Sequence, residues 1–327
     1  MNRRVTLAAR PEGFPKESDF ALDEVNVPAP GTGEVLVQIS HASIDPYQRG
    51  RMSEARSYAK PMEIGDVITS QGIGEVVESD DGRFAPGDRV VGQLGWQEYA
   101  VARAGSLRKL PPILEPPTLA LHAVGATGMT AYFGLFDVGK PRPGDTVVVS
   151  GAAGAVGQIV GQLANLAGCR TVGIAGGPDK VRDLRELYGY DSAIDYKDGD
   201  VSEGLREERV DVYFDNVGGA ISQAVHRRLN VGARIVVCGQ VSQYNEPRPE
   251  PSFHPGLLIV YRARMEGFLI SDYAHRFEEA ALRLGRWVMT GELKWQEDVT
   301  DGLENAPQAF IGMLQGANRG KALVKVR

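Results

Sequence analysis

The sequence predicts an α/β protein in two parts: a doubly wound parallel-sheet domain and a discontinuous, mostly β domain. Three observations predict it. Short Val- and Ile-rich segments bounded by Gly, Pro and Asp fill the first 120 residues. After Asp145, strand-like and helix-like segments alternate. Between residues 147 and 157, a β-branched run passes through glycines into an apolar helical face. At roughly 150 residues per domain, 327 residues suit about two domains.

In chain order, Glu34–Ser40, Gly72–Glu78 and Arg89–Gly92 are strands, the last delivered by the turn Phe84-Ala85-Pro86-Gly87-Asp88. Pro111-Pro112 and Pro116-Pro117 mark a boundary. Strands follow at Val147–Ser150, Thr171–Ala175, Ala193–Asp195, Val210–Asp215, Arg234–Cys238 and Met265–Ile270, with helices such as Asp179–Tyr188 and Ala220–Leu229 between them. Helices between strands imply a parallel sheet covered on both faces, and six such strands suit the doubly wound order. A final strand, Ala322–Val326, returns the chain to its first part. The expected division is therefore 1–122 completed by 291–327, and 123–290. Tyr261, in the apolar run LLIVY, reads as core.

Composition excludes several classes of function. Apolar residues are 43% and charged residues 24%, ordinary for a globular chain and unlike a disordered one. The net charge of −6 recommends neither nucleic acid nor an anionic membrane as a partner. Thr146–Cys169 carries no charge, but five glycines and the polar Gln158, Gln162 and Asn165 make it a strand, a turn and a buried helix rather than a membrane span. The N-terminus lacks the apolar core of a secretory signal. Two cysteines, Cys169 and Cys238, allow one disulfide or two buried thiols in a reducing compartment, and the expected location is cytoplasmic.

The turn Gly151-Ala152-Ala153-Gly154-Ala155-Val156-Gly157 carries the main chemical signal. After a strand and before a helix, Gly154 lets a pyrophosphate approach the backbone and Gly157 lets the helix pack closely. The helix N-terminus then faces the phosphate with N–H groups that have no partner within the helix. Ala153, Gly154, Ala155, Val156 and Gly157 are the candidate contacts of a Rossmann-type dinucleotide site. Ala152 stands where the usual pattern has its first glycine, so a packing turn without a ligand is the alternative. At the end of the second strand, Ala175 stands where NAD-binding proteins place an acid, and Lys180 follows in the next helix. That pair favours NADP(H), with a solvated surface lysine as the alternative. The helix is expected to turn Val156, Ile159, Val160, Leu163 and Leu166 toward the sheet.

The five histidines are scattered, and the first 168 residues hold no cysteine. No three-ligand catalytic zinc set can be assembled, so no metal is expected. Carbonyl polarisation then falls to tyrosines and backbone N–H groups.

Several segments resemble one family in order. They are Asp45-Pro46-Tyr47-Gln48-Arg49-Gly50-Arg51-Met52, Gly128-Met129-Thr130-Ala131-Tyr132-Phe133-Gly134-Leu135, the Gly151–Gly157 turn, Asp195-Tyr196-Lys197, Phe214-Asp215-Asn216-Val217-Gly218-Gly219, Cys238-Gly239-Gln240-Val241-Ser242-Gln243-Tyr244-Asn245 and Gly316-Ala317-Asn318-Arg319-Gly320-Lys321. The chain thus resembles the zinc-independent medium-chain dehydrogenases/reductases, in the branch of NADP-dependent alkenal double-bond reductases. The resemblance implies a Rossmann cofactor domain, a GroES-like substrate domain, and NADPH-dependent reduction of the C=C bond of α,β-unsaturated ketones or aldehydes. It also implies roles for particular residues. Lys180 and Tyr196 would contact the 2′-phosphate and adenosine, Thr130 the nicotinamide carboxamide, and Asn216 the ribose. Cys238, Gly239, Phe268, Leu269, Ile270 and Asn318 would be further cofactor contacts. Tyr244 would lie near the substrate carbonyl and nicotinamide ribose, and Tyr47 would line the substrate pocket. Homodimers pairing the last strand of each cofactor sheet, near Met265–Ile270, are common in the family. A quinone reductase and a non-catalytic NADP(H)-binding protein are the alternatives. The Pro/Glu run 246–251 is expected to form an extended lid, with a plain connector as the alternative.

Overall fold

Strands begin where β-branched runs meet Gly, Pro or Asp, and the first part of the chain is built almost wholly from them. They are β1 (Asn2–Leu7), β2 (Phe20–Val25), β3 (Glu34–Ser43), β4 (Gln71–Ser79), β5 (Arg89–Gln93), β6 (Tyr99–Arg103) and β7 (Arg108–Lys109), with one short helix, α1 (Tyr47–Arg51), after β3. The computed structural model describes residues 1–55, 57–246 and 253–327. Its residues divide into two compact units, Met1–Leu121 with Glu297–Arg327, and His122–Gln296.

The second unit begins with α2 (Ala126–Phe133) and continues through β8 (Thr146–Ser150), α3 (Gly157–Leu166), β9 (Arg170–Ala175), α4 (Pro178–Glu186), β10 (Ser192–Asp195), α5 (Val201–Gly204) and β11 (Val210–Asp215). It then runs through α6 (Gly219–His226), β12 (Leu229–Val237), α7 (Gly256–Tyr261), β13 (Arg264–Gly267) and α8 (Phe277–Met289). The six strands form one parallel sheet in the order β10-β9-β8-β11-β12-β13. The first strand, β8, lies at the centre. The chain winds outward on one side, then crosses back to place β11 on the other side of β8. That reversal opens a crevice beyond the carboxyl ends of β8 and β11, where doubly wound proteins bind ligands.

The chain returns to the first unit through β14 (Glu297–Asp301), α9 (Ala306–Leu314) and β15 (Lys321–Lys325). The order there is β14-β15-β3-β4-β5-β7, with β6 also on β3, while β1 and β2 form a separate pair. The return is held by the core: Phe310 of α9 meets Trp96 edge-on at 5.8 Å, and Trp96 stacks with Phe20 at 6.1 Å.

Several expectations need correction. The division falls at 121/122 and 296/297 rather than at 122/123 and 290/291. His122 caps the start of the second unit, its carbonyl accepting the Gly125 and Gly128 N–H groups at 3.0 Å each. Residues up to 296 are held there by two side chains of α3. Gln162 Oε1 accepts the Lys294 N–H at 2.7 Å and Gln158 Oε1 accepts the Gln296 N–H at 2.9 Å, so the amides act as a short rung of sheet. The strand expected at Met265–Ile270 ends at Gly267, because its partner β12 ends at Val237, the residue opposite Gly267. Phe268 and Leu269 lie beyond it, and Ile270 opens a 3₁₀ turn to Arg276. Conversely, β12 starts at Leu229 instead of Arg234, since Leu229 pairs with Val210. On α3, Ile159, Val160 and Leu163 are buried but Leu166 is 44% exposed, one turn past the edge of the sheet-facing stripe. Tyr261 does pack against the core of the parallel sheet, half-buried, while its neighbours Ile259 and Val260 are 81% and 62% exposed. The Pro/Glu run falls mostly on 247–252, outside the described residues.

Candidate functional site

The glycine turn sits at the carboxyl end of β8. A Cβ at Gly157 would lie 2.3 Å from the Gly151 carbonyl oxygen and 2.6 Å from Ala152 Cα, so only glycine lets α3 begin this close to the turn. A Cβ at Gly154 would meet only the Gly151 oxygen, at 3.2 Å. Ala153 is buried, whereas Gly154, Ala155 and Val156 are half-buried. This leaves main-chain surface at the N-terminus of a ten-residue helix, where an anion gains most.

At the end of β9, Ala175 is buried and Gly176 follows. The Tyr196 ring lies so close over Gly176 that a Cβ there would be 2.6 Å from it. Tyr196 itself is 40% exposed, and burial raises its phenol above the ordinary value. Lys180 is half-buried in the first turn of α4. Asp195, near this tip, spends one oxygen on the backbone N–H groups of Gly177 at 2.8 Å and Lys197 at 2.9 Å. An aromatic face and a lysine, with the neighbouring carboxylate turned to the backbone, fit an adenosine carrying a 2′-phosphate better than one carrying a 2′-hydroxyl.

Across the sheet, Asn216 follows β11 and is locked to β8. Its N–H donates to Ser150 Oγ at 2.9 Å and its Nδ2 to the Ser150 carbonyl at 2.7 Å. Cys238 and Gly239 follow β12, their N–H groups donating to the Asp215 carbonyl at 2.9 and 3.0 Å. The Tyr244 hydroxyl returns to this turn and accepts the Gln240 N–H at 3.3 Å. Asn216, Gly239 and Tyr244 are thus gathered at the carboxyl ends of β11 and β12. Burial, then the Asp215 charge, pushes the Cys238 thiol up to about 12. Thr130, on α2, donates its hydroxyl to the Ala126 carbonyl at 2.8 Å. Phe268 packs one turn further along, where a Cβ at Gly134 would be 2.6 Å from its ring. Leu269 is 37% exposed and Ile270 half-buried.

In the first unit, Lys321 is fully buried, and its ammonium donates to Asp45 Oδ1 at 2.9 Å and to the Ile44 and Ala322 carbonyls at 2.7 and 3.0 Å. Asp45 also accepts the Ser43 hydroxyl, and its N–H is taken by Gln48 Oε1 at 2.8 Å. The ion pair fixes the turn into α1, whose first residue is Tyr47. The Tyr47 hydroxyl is buried and makes no hydrogen bond of good geometry among the described residues, although the Gln93 side chain is near enough to act on it. Burial, then the Asp45 charge, raises this phenol far above its ordinary value. Asn318 donates its Nδ2 to the Gly320 carbonyl at 2.7 Å, shaping the loop before Lys321. Among the described residues, no three His, Cys, Asp or Glu side chains are placed to hold a metal ion. None of the helices among them is long and apolar enough to cross a membrane.

Sequence reasoning passed over Asp215 and the pairing of Asp45 with Lys321. The signal for Asp215 was its place at the tip of a buried strand, immediately before Asn216 and the Gly218-Gly219 pair.

This architecture and crevice define a two-unit protein whose second unit has a dinucleotide-binding fold. Residues 3–110 match the family described as N-terminal domain of oxidoreductase, and residues 155–286 the family described as zinc-binding dehydrogenase. The chain is 44% identical to the NADPH-dependent curcumin reductase of Escherichia coli, over 99% of this chain and 97% of that protein. It is 39% identical to a 2-alkenal reductase (NADP(+)-dependent) of Nicotiana tabacum, again over 99% and 97%. The crystal structure of CurA from Vibrio vulnificus in complex with NADPH superposes with a TM-score of 0.95 at 42% identity, covering 99% of each chain. The chain belongs to the NADP-dependent branch of the medium-chain dehydrogenases/reductases that holds curcumin reductase, prostaglandin reductase 1 and 2-alkenal reductase.

Proposed function

We propose that the protein reduces the C=C bond of α,β-unsaturated ketones and aldehydes with NADPH. The observation that carries the reading, beside family membership, is a phenol held at the carboxyl end of β12 next to the Asn216 and Gly239 turns. Bound NADPH supplies the hydride that adds to the β-carbon of the enone. Negative charge then collects on the carbonyl oxygen, and Tyr244 donates a hydrogen bond to it. A donor aimed at a developing oxyanion contributes roughly 2.7–4 kcal/mol. The Gln240 N–H on the phenol oxygen orients Tyr244 and makes its O–H a stronger donor. The enolate takes a proton at the α-carbon. In this reading the Gly154–Gly157 turn takes the pyrophosphate, and Lys180 and Tyr196 take the 2′-phosphate and adenosine. Thr130, Asn216, Cys238, Gly239, Phe268, Leu269, Ile270 and Asn318 complete the cofactor contacts, and Tyr47 lines the substrate pocket.

The same reading makes the protein a cytoplasmic homodimer. Two cysteines that form no disulfide, and the edge strand β13, paired among the described residues with β12 alone, support it. Light scattering on the eluted peak, giving one or two chains, decides the dimer.

The test of function is NADPH oxidation by purified protein with a simple enone, with the product identified. A saturated ketone supports the reading, and an allylic alcohol overturns it. NADPH binding without turnover of the enone transfers the claim to a quinone, and without turnover of either to a non-catalytic role.

A further inference from the structure

Asp215 ends β11 with its side chain buried, 3% exposed. Its Oδ1 accepts the Ser150 and Tyr213 hydroxyls at 2.9 Å each and the Val217 and Gly218 N–H groups at 3.0 Å each. Its Oδ2 accepts the Ser222 hydroxyl at 2.6 Å. Its main-chain oxygen accepts the Cys238 and Gly239 N–H groups. One residue therefore joins β8, the turn after β11 and the turn after β12.

We propose that Asp215 is a positioning residue for the reductase reaction, its carboxylate setting the Asn216–Gly218 turn and, through that strand end, the Cys238–Gly239 turn on which Tyr244 rests. The inference rests on the reading of the site given above. Local preference does not dictate the shape of the first turn, because Gly218 and Gly219 adopt φ of +75° and +59°, where glycine has wide freedom. Five converging donors select one shape. The carboxylate serves purely as acceptor; the Tyr213 and Ser222 hydroxyls also meet each other at 2.9 Å, so their two protons serve three contacts, and low local polarity strengthens the network. Truncation leaves buried donors without a partner, a state more costly than the loss of one average hydrogen bond. An asparagine retains the Oδ1 acceptor and presents its NH₂ to Ser222, whose hydroxyl rotates to accept.

The experiment compares Asp215→Ala and Asp215→Asn, each also in a Tyr244→Phe background. Without nucleotide, amide hydrogen exchange at 217–218 and 238–239 is read against exchange in β10. NADPH affinity is then read from nicotinamide fluorescence, and kcat and KM from the enone assay. In Asp215→Ala, exchange at the two turns rises about tenfold or more while β10 is unchanged, and NADPH binds roughly tenfold more weakly. Its kcat falls by about tenfold with enone KM within about threefold, and that fall shrinks when Tyr244 is already Phe. Asp215→Asn recovers most of each loss. The proposal is overturned if exchange rises uniformly over the sheet, if it does not rise at all, or if Asn is no better than Ala. Should Asp215→Ala not fold, Ser222→Ala, which removes one donor, carries the same exchange and affinity comparison. Wild-type protein that turns over no enone refutes the proposed reaction alone, and the exchange and affinity arms still decide the role of Asp215.

Discussion

The ammonium of Lys321 lies 2.9 Å from Asp45 Oδ1, joining residues 276 positions apart in the chain. The lysine side chain is 1% exposed and the aspartate 15%. Both belong to segments that carry the family resemblance, and the contact brings the two segments together. The ion pair anchors the start of β15, between β14 and β3, to the turn that starts α1 and sets Tyr47.

Lys321→Met removes one partner and leaves the Asp45 carboxylate poorly solvated. Breaking such a pair costs about 3–5 kcal/mol, against little for replacing both partners. Urea unfolding should show that loss, with partial recovery in Lys321→Met/Asp45→Asn. A loss below about 1 kcal/mol would show that the pair is incidental.

Gly157→Ala forces a methyl group against the Gly151 carbonyl. Overpacking of this kind costs about 1–3 kcal/mol, and here the relief is a shift of the phosphate turn. Stability and NADPH affinity should both fall in Gly157→Ala, whereas Gly154→Ala, whose nearest protein atom is 3.2 Å away, should keep stability and lose affinity because its methyl lies where the pyrophosphate approaches. Wild-type affinity in both variants would separate the turn from the nucleotide.

Tyr244→Phe keeps the ring and removes the hydroxyl. If that hydroxyl carries the enolate charge, kcat falls by roughly 10²–10³, while NADPH dissociation constants stay within about twofold. Steady-state kinetics beside fluorescence titration measure both, and an unchanged kcat removes Tyr244 from the mechanism.

Lys180→Ala should weaken NADPH binding roughly tenfold, as expected for one charge-assisted phosphate contact. NADH binding should barely change. The difference should narrow as salt rises, since a half-buried cation is screened. Equal losses for the two nucleotides would move the 2′-phosphate contact elsewhere.

Burial holds Cys169 up to about 11 and Cys238 up to about 12, the Asp145 and Asp215 charges adding to it. Raising a thiol pKa favours its neutral form, so at pH 8 the thiolate fraction is at most about one in a thousand. Iodoacetamide at pH 8 should leave activity intact, with inactivation accelerating as pH rises toward 11. Rapid labelling of native protein at pH 8 contradicts this assignment.

Local pattern determined much of this protein. Val147–Ser150 followed by Gly151–Gly157 was readable as strand, turn and helix, because β-branching and glycine freedom act within a few residues. Alternation of such units was enough for the parallel sheet, whereas Ala175 with Lys180 favoured NADP(H) without deciding it, and the family resemblance tipped the reading. Tertiary structure decided what depends on partners. The strand at Met265 stops at Gly267 because β12 stops opposite it, and Leu166, apolar and at helical spacing from Leu163, is nevertheless 44% exposed. Asp215 before Asn216 and two glycines reads locally as a turn former. Its five donors arrive from β8, β11, α6 and the following loop only once the sheet has formed. Lys321 and Asp45 likewise look like surface charges until β15 lies beside β3. Propensity is a property of neighbouring residues, whereas register, burial and the pairing of distant charges are set by which surfaces the folded chain brings together.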